Sequence, residues 1–213
     1  MVPILFFSVI VGIIAVVVVV TMTMAKKRRE AWQAVAPKLE MRYLGEVGLA
    51  SRYPGFKMFS LGRSRTSDNL LEGSSGSVRV LLGDYRYTTG SGKNSSTHYF
   101  TLCILEKDGL GLPHSFMRPQ NLFDALGKLF GGQDIDFAED PEFSKSFVLQ
   151  GEDEGAIRSK FDRPSRSWLV AHKQRFQSFE ADGSTIAFFA PRIDPALAPQ
   201  LLDEALEFLM IWG

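Results

Sequence analysis

The sequence predicts an N-terminal transmembrane helix followed by one α+β domain with an antiparallel sheet and packed helices. Three observations carry that expectation. Residues 2–24 are apolar except for Ser8, Thr21 and Thr23. Residues 77–88 and 97–106 are rich in Val, Tyr, Phe, Leu and Thr and flank the polar stretch TGSGKNSS, the pattern of a long antiparallel hairpin. Extended and helical segments then follow without the regular alternation that builds a parallel sheet.

Each element has its own justification. At about 1.5 Å per residue, 2–24 is long enough for a ~30 Å hydrocarbon core, and lipid demands internally satisfied backbone, hence a helix. No basic residue precedes the run, its apolar core is too long and Thr23-Met24-Ala25 is a poor cleavage site, so an uncleaved anchor is expected rather than a signal peptide. The expected domains are therefore the membrane helix at 1–25, a basic juxtamembrane segment and helix at 26–44, and a globular α+β domain at 45–213. Residues 30–39 place Trp32, Val35 and Leu39 on one helical side, with Pro37 as a boundary. Short strands are expected at 57–61, 69–72, 115–118 and 146–150. Helices are expected at 121–130, closed by Gly131 and Gly132, at 152–161 and at 166–172. Asp182-Gly183 marks a hairpin between 176–181 and 184–190, and 195–212 reads as the terminal helix.

Composition narrows the function classes. The 213 residues hold 24 basic and 24 acidic side chains and one Cys, with 45% hydrophobic residues. Lys26, Lys27, Arg28 and Arg29 form the one basic run, and the chain beyond them is net acidic, which argues against a nucleic-acid surface. A lone Cys103 excludes a disulfide scaffold. Four positive charges at the C-terminal end of the apolar run predict a single-pass membrane protein with its domain cytoplasmic.

Motifs for chemistry are weak. Gly90-Ser91-Gly92-Lys93 lacks the first glycine of a phosphate loop and precedes a strand. The acids from Asp134 to Glu142 miss the spacing of a calcium loop. His98, His114, His172 and Cys103 have no zinc spacing. Neither a catalytic residue, a cofactor nor a metal is expected. The acidic stretch 134–154 and the basic stretch 158–175 either neutralise each other or face a partner.

Candidate contact residues fall into three groups. Lys26, Lys27, Arg28, Arg29 and Trp32 suit the membrane surface and its anionic lipid headgroups; helix packing is the other reading of Trp32. Ser8 and Gly12 form a small-xxx-small step through which a neighbouring helix can approach. Phe208, Met210, Ile211 and Trp212 sit in a stretch that is apolar all round, as at a partner interface, unless the domain's own core takes them.

At DYRYTTGSGKNSSTH and GGQDIDFAEDPEFSKSFVLQGEDE the chain resembles a family of uncharacterised bacterial proteins with a membrane helix, a basic flank and one cytoplasmic-type domain. The resemblance runs from about residue 56 to residue 161 and implies the architecture, and that the membrane is a bacterial inner membrane, without any activity. The expected function is a non-enzymatic accessory subunit packing on a larger integral membrane complex, energy-transducing or transport. The alternatives are a tethered ligand- or lipid-headgroup-binding module using the 89–96 loop and Lys93, and a hydrolase built on Cys103 and His98.

Overall fold

A computed structural model describes residues 2–120 and 134–212, with side chains from Ile10 onward. The helix expected at 121–130 and the side chain of Ser8 lie outside the described residues. Helix α1 runs from Val2 to Val35 without a break. Its 34 residues reach about 50 Å at ~1.5 Å each, far more than a bilayer core requires. Among the described residues it is the one helix long and apolar enough to cross a membrane. Pro37 opens the short 3-10 turn Ala36–Leu39, and Glu40, at φ 54°, turns the chain into strand β1, Arg42–Gly45.

The remaining elements are α2 (Leu49–Arg52), the 3-10 turn Lys57–Ser60, β2 (Arg63–Ser75), β3 (Val78–Thr89), β4 (Ser96–Glu106), β5 (Leu112–Pro119), α3 (Pro141–Ser146), β6 (Phe147–Gly151), α4 (Glu154–Lys160), α5 (Arg163–Ala171), β7 (Ser178–Gly183), β8 (Thr185–Pro191) and α6 (Ala198–Trp212). The strands form one eight-stranded sheet in the order β1-β2-β3-β4-β8-β7-β5-β6, with every neighbouring pair antiparallel. The α+β expectation holds, and both expected hairpins are present, Thr89 pairing with Ser96 in one and Asp182 with Thr185 in the other.

Alternation along the strands gives the sheet two apolar faces. One carries Val80, Leu82, Cys103, Leu105 and Phe188, and it is covered by α5, α6 and the last turns of α1. The other carries Leu81, Tyr85, Phe100, Leu102 and Phe189. It is covered by the strap through α2 and the following 3-10 turn, which contributes Leu49, Tyr53, Phe56, Met58 and Phe59.

Several expectations need correction. Residues 57–61 are not a strand. The buried Glu180 carboxylate accepts the Lys57 and Met58 backbone N–H groups at 2.8 and 2.9 Å, which satisfies a tight turn there instead of a ladder. The expected strand at 69–72 is the middle of the 13-residue β2. Segment 26–44 does not stand apart as a juxtamembrane unit, because Trp32, Val35, Ala36 and Met41 belong to the main core. Phe208 and Trp212 are not a partner surface. In α6 they continue the buried line of Leu201 and Ala205 at helical spacing and meet Phe179, which both of their rings contact. Met210 is 75% exposed and Ile211 is partly buried.

Candidate functional site

Helix α1 is two things in one element. From Ile10 to Met24 its side chains are all exposed, with none buried in the domain. One turn later, Arg28, Trp32 and Val35, at positions i, i+4 and i+7, turn one face onto the sheet. Trp32 is fully buried, so it is a packing residue and does not lie at the membrane surface; Arg28, with 16% of its side chain exposed, likewise points into the domain.

Both side chains converge on Asp84 of β3. Asp84 accepts Arg28 Nε at 2.7 Å and Nη2 at 2.5 Å, Trp32 Nε1 at 3.1 Å and Asn69 Nδ2 at 2.9 Å. Arg28 Nη1 donates to the Ile193 carbonyl at 3.0 Å, and Tyr43 Oη donates to Asn69 Oδ1 at 2.9 Å. The two-point fork of a guanidinium on a carboxylate fixes direction as well as distance. With Asp84 only 10% exposed, the pair is held largely out of water.

The local sequence explains the convergence. Val80, Leu82 and Asp84 alternate onto the same face of β3, so the strand aims an acid where an aliphatic side chain would otherwise sit. Gly83, on the other face, lets β2 come close: a Cβ there would lie 2.7 Å from Leu70 Cδ2 and 2.8 Å from the Asn69 carbonyl oxygen. The β2 bulge between Asp68 and Leu71, with Asn69 at φ 56°, delivers the Asn69 amide to Asp84. Asp84 and Asn69 escaped the sequence reading, although an acid in register with Val80 and Leu82 on an inward-facing row was a usable signal.

Beside this junction lies a groove of about 570 Å³ lined by Ala25 and Arg29 of α1 and by Glu46, Arg86, Tyr99 and Arg192 of the domain. Lys26 makes a long contact with Glu30 at 3.8 Å, both exposed, and Lys27 is exposed. Gly12 faces open space, where a Cβ would meet nothing.

The other candidates sort by position. Cys103 projects into the face under α6, whereas His98 shares the opposite side of β4 with Phe100 and Leu102. Burial pushes the Cys103 thiol up to about 12, and His98 Nε2 pairs with Thr89 Oγ1 at 2.9 Å. A Cys103–His98 nucleophile is therefore ruled out by geometry. The 89–96 loop is largely exposed and contains a 3-10 turn, Gly92–Asn94, rather than a helix N-terminus. Among the described residues, no three His, Cys, Asp or Glu side chains converge as metal ligands would.

The acidic and basic stretches pair with each other in part. The buried Arg166 reaches Asp140 at 2.9 Å and the exposed Glu139 at 3.4 Å, and Arg158 reaches Glu154 at 2.8 Å on the surface of α4. The Arg166 hydrogen bond holds the Asp140 carboxyl below its ordinary range. Asp140, Asp153 and Asp162 also cap α3, α4 and α5.

No protein-family model matches the chain, and no curated protein matches it. Among solved structures it is similar to the crystal structure of the mycobacterial trehalose monomycolate transport factor A, TtfA, with a TM-score of 0.60 and 13% identity over 87% of this chain and 94% of that chain. At that identity the similarity is one of fold.

Proposed function

We propose that this chain is a non-enzymatic, single-pass accessory subunit that packs on a larger integral membrane transport assembly at the cytoplasmic face of a bacterial inner membrane. The observation that carries the reading is the unbroken helix α1. It presents an unpartnered apolar surface over Ile10–Met24 and is fixed to the domain, a few residues on, through Arg28, Trp32 and Asp84. A flexible tether would serve an anchor that only holds a domain near a membrane. A helix locked in phase with its domain suits a protein whose membrane and aqueous surfaces must meet one host together. The shared fold of TtfA, a transport factor, favours transport among the possible hosts. Lys26 and Lys27 would lie among anionic headgroups and keep the domain on the cytoplasmic side.

The test is purification of the full chain from its native membrane in mild detergent, followed by mass spectrometry of what co-migrates. A defined, stoichiometric set of integral membrane companions is the expected result. A monomer migrating alone, with every membrane complex intact in its absence, would overturn the proposal.

A further inference from the structure

We propose that the groove beside the Arg28–Asp84 junction is a binding site for the phosphodiester of an anionic phospholipid of the adjoining bilayer, held by Arg29 and Arg192. Ala25 ends the apolar run and also lines the groove. Arg29, four residues on, lies about 6 Å further along the helix axis at ~1.5 Å per residue. The polar headgroup layer is roughly 5–7 Å deep on each side of the hydrocarbon core. The mouth of the groove therefore opens at headgroup depth whenever α1 spans a bilayer.

Charge then selects the ligand. Of the four arginines lining the groove, Arg28 is committed to Asp84. Arg86 donates to Thr66 Oγ1 at 2.6 Å and faces Asp68 at 3.8 Å. Arg29 and Arg192 are exposed, and no carboxylate lies within ion-pairing distance of either among the described residues. The Arg192 guanidinium lies 5.2 Å from the centre of the Tyr99 ring, a ring that leaves its forked donors available while orienting their plane. Tyr99 itself is 47% exposed, an aromatic wall that suits the glycerol backbone and first acyl carbons of a lipid at the membrane interface. Glu46, on the same groove, provides an acceptor for headgroup hydroxyls. Two unspent guanidiniums and an exposed tyrosine at headgroup depth fit a phosphodiester better than they fit a protein segment, which would have to displace lipid to reach them. This site stands whether or not the chain has protein companions.

The test is native mass spectrometry of the full chain released from nanodiscs of equal phosphatidylglycerol and phosphatidylcholine. The wild-type chain is expected to retain one phosphatidylglycerol. The double variant R29Q/R192Q is expected to lower that adduct by about tenfold or more, from the loss of two near-surface cations. The double variant K26Q/K27Q, which alters the basic flank outside the groove, is expected to keep it. All four residues are exposed, and equal unfolding temperatures confirm that the variants are folded. A lipid-free spectrum, retention by R29Q/R192Q, or equal loss in K26Q/K27Q would each overturn the site. Displacement by millimolar inorganic phosphate would reassign the same guanidiniums to free phosphate and overturn the lipid assignment.

Discussion

Asp84 is the residue on which the membrane helix and the sheet agree. It takes hydrogen bonds from Arg28, Trp32 and Asn69, so removing it strands four N–H donors on three residues at once. Breaking a buried ion pair from one side costs about 3–5 kcal/mol, because the surviving charge is left unpaired. D84A is expected to destabilise the domain by about 3 kcal/mol. In a domain of this size that corresponds to roughly 6–12 °C in unfolding temperature, read by thermal denaturation of the detergent-solubilised full chain. The double variant R28M/D84M is expected to recover only the share of the loss due to the unpaired Arg28 charge, because Trp32 Nε1 and Asn69 Nδ2 still lack their acceptor. An unchanged unfolding temperature in D84A would mean that the junction contributes nothing to stability. The sequence already placed Trp32 and Val35 on one side of a helix. What that side faced was not legible, because the four basic residues 26–29 carry the same chemistry and only helical phase separates Arg28, turned inward, from its exposed neighbours.

Elements were legible where turn chemistry is local and obscure where a distant side chain decides. Asp182-Gly183 announced the β7–β8 hairpin on its own. Residues 57–61 looked extended because nothing nearby reveals Glu180, more than a hundred residues away, whose carboxylate holds the turn. His114 Nε2 meets the same carboxylate at 3.0 Å, and that hydrogen bond raises the His114 pKa above its ordinary value. A raised folded-state pKa gives stability that is fully present below the unfolded value, about 6.5. It is lost as pH rises through the folded value. The unfolding free energy is therefore expected to fall as pH rises above about 6.5, and H114Q is expected to flatten that slope. An identical slope in H114Q would remove the strap contact as its cause. Helix α6 makes a sharper contrast. F208A empties a site among Phe179, Phe188, Trp168 and Trp212 and is expected to cost about 3–5 kcal/mol. M210A, at an exposed position two residues away, is expected to change stability by no more than about 0.5 kcal/mol in chemical denaturation.

At the scale of the whole molecule, the strand order was the least legible feature. The meander β1-β2-β3-β4 follows from successive turns, but β8 joins β4 across about 85 intervening residues through alternating apolar pairs such as Leu102 with Phe189 and Ile104 with Ala187. Many strands offer equivalent rows, so only the closed core chooses among them. The same closure fixes the azimuth of α1 relative to the domain, and this gives the accessory-subunit proposal its strictest consequence. Inserting two alanines between Ala25 and Lys26 leaves Arg28, Trp32 and Asp84 untouched while rotating the apolar span by about 200° at ~100° per residue. Four alanines return it to within roughly 40° of its original face and move it about 6 Å along the axis. Both variants are expected to unfold at the wild-type temperature. If one host reads the membrane helix and the domain together, the two-alanine chain is expected to lose its co-purifying companions and the four-alanine chain to keep most of them. Equal retention in both would mean that helix and domain act independently, and the locked junction would then serve the stability of the domain alone.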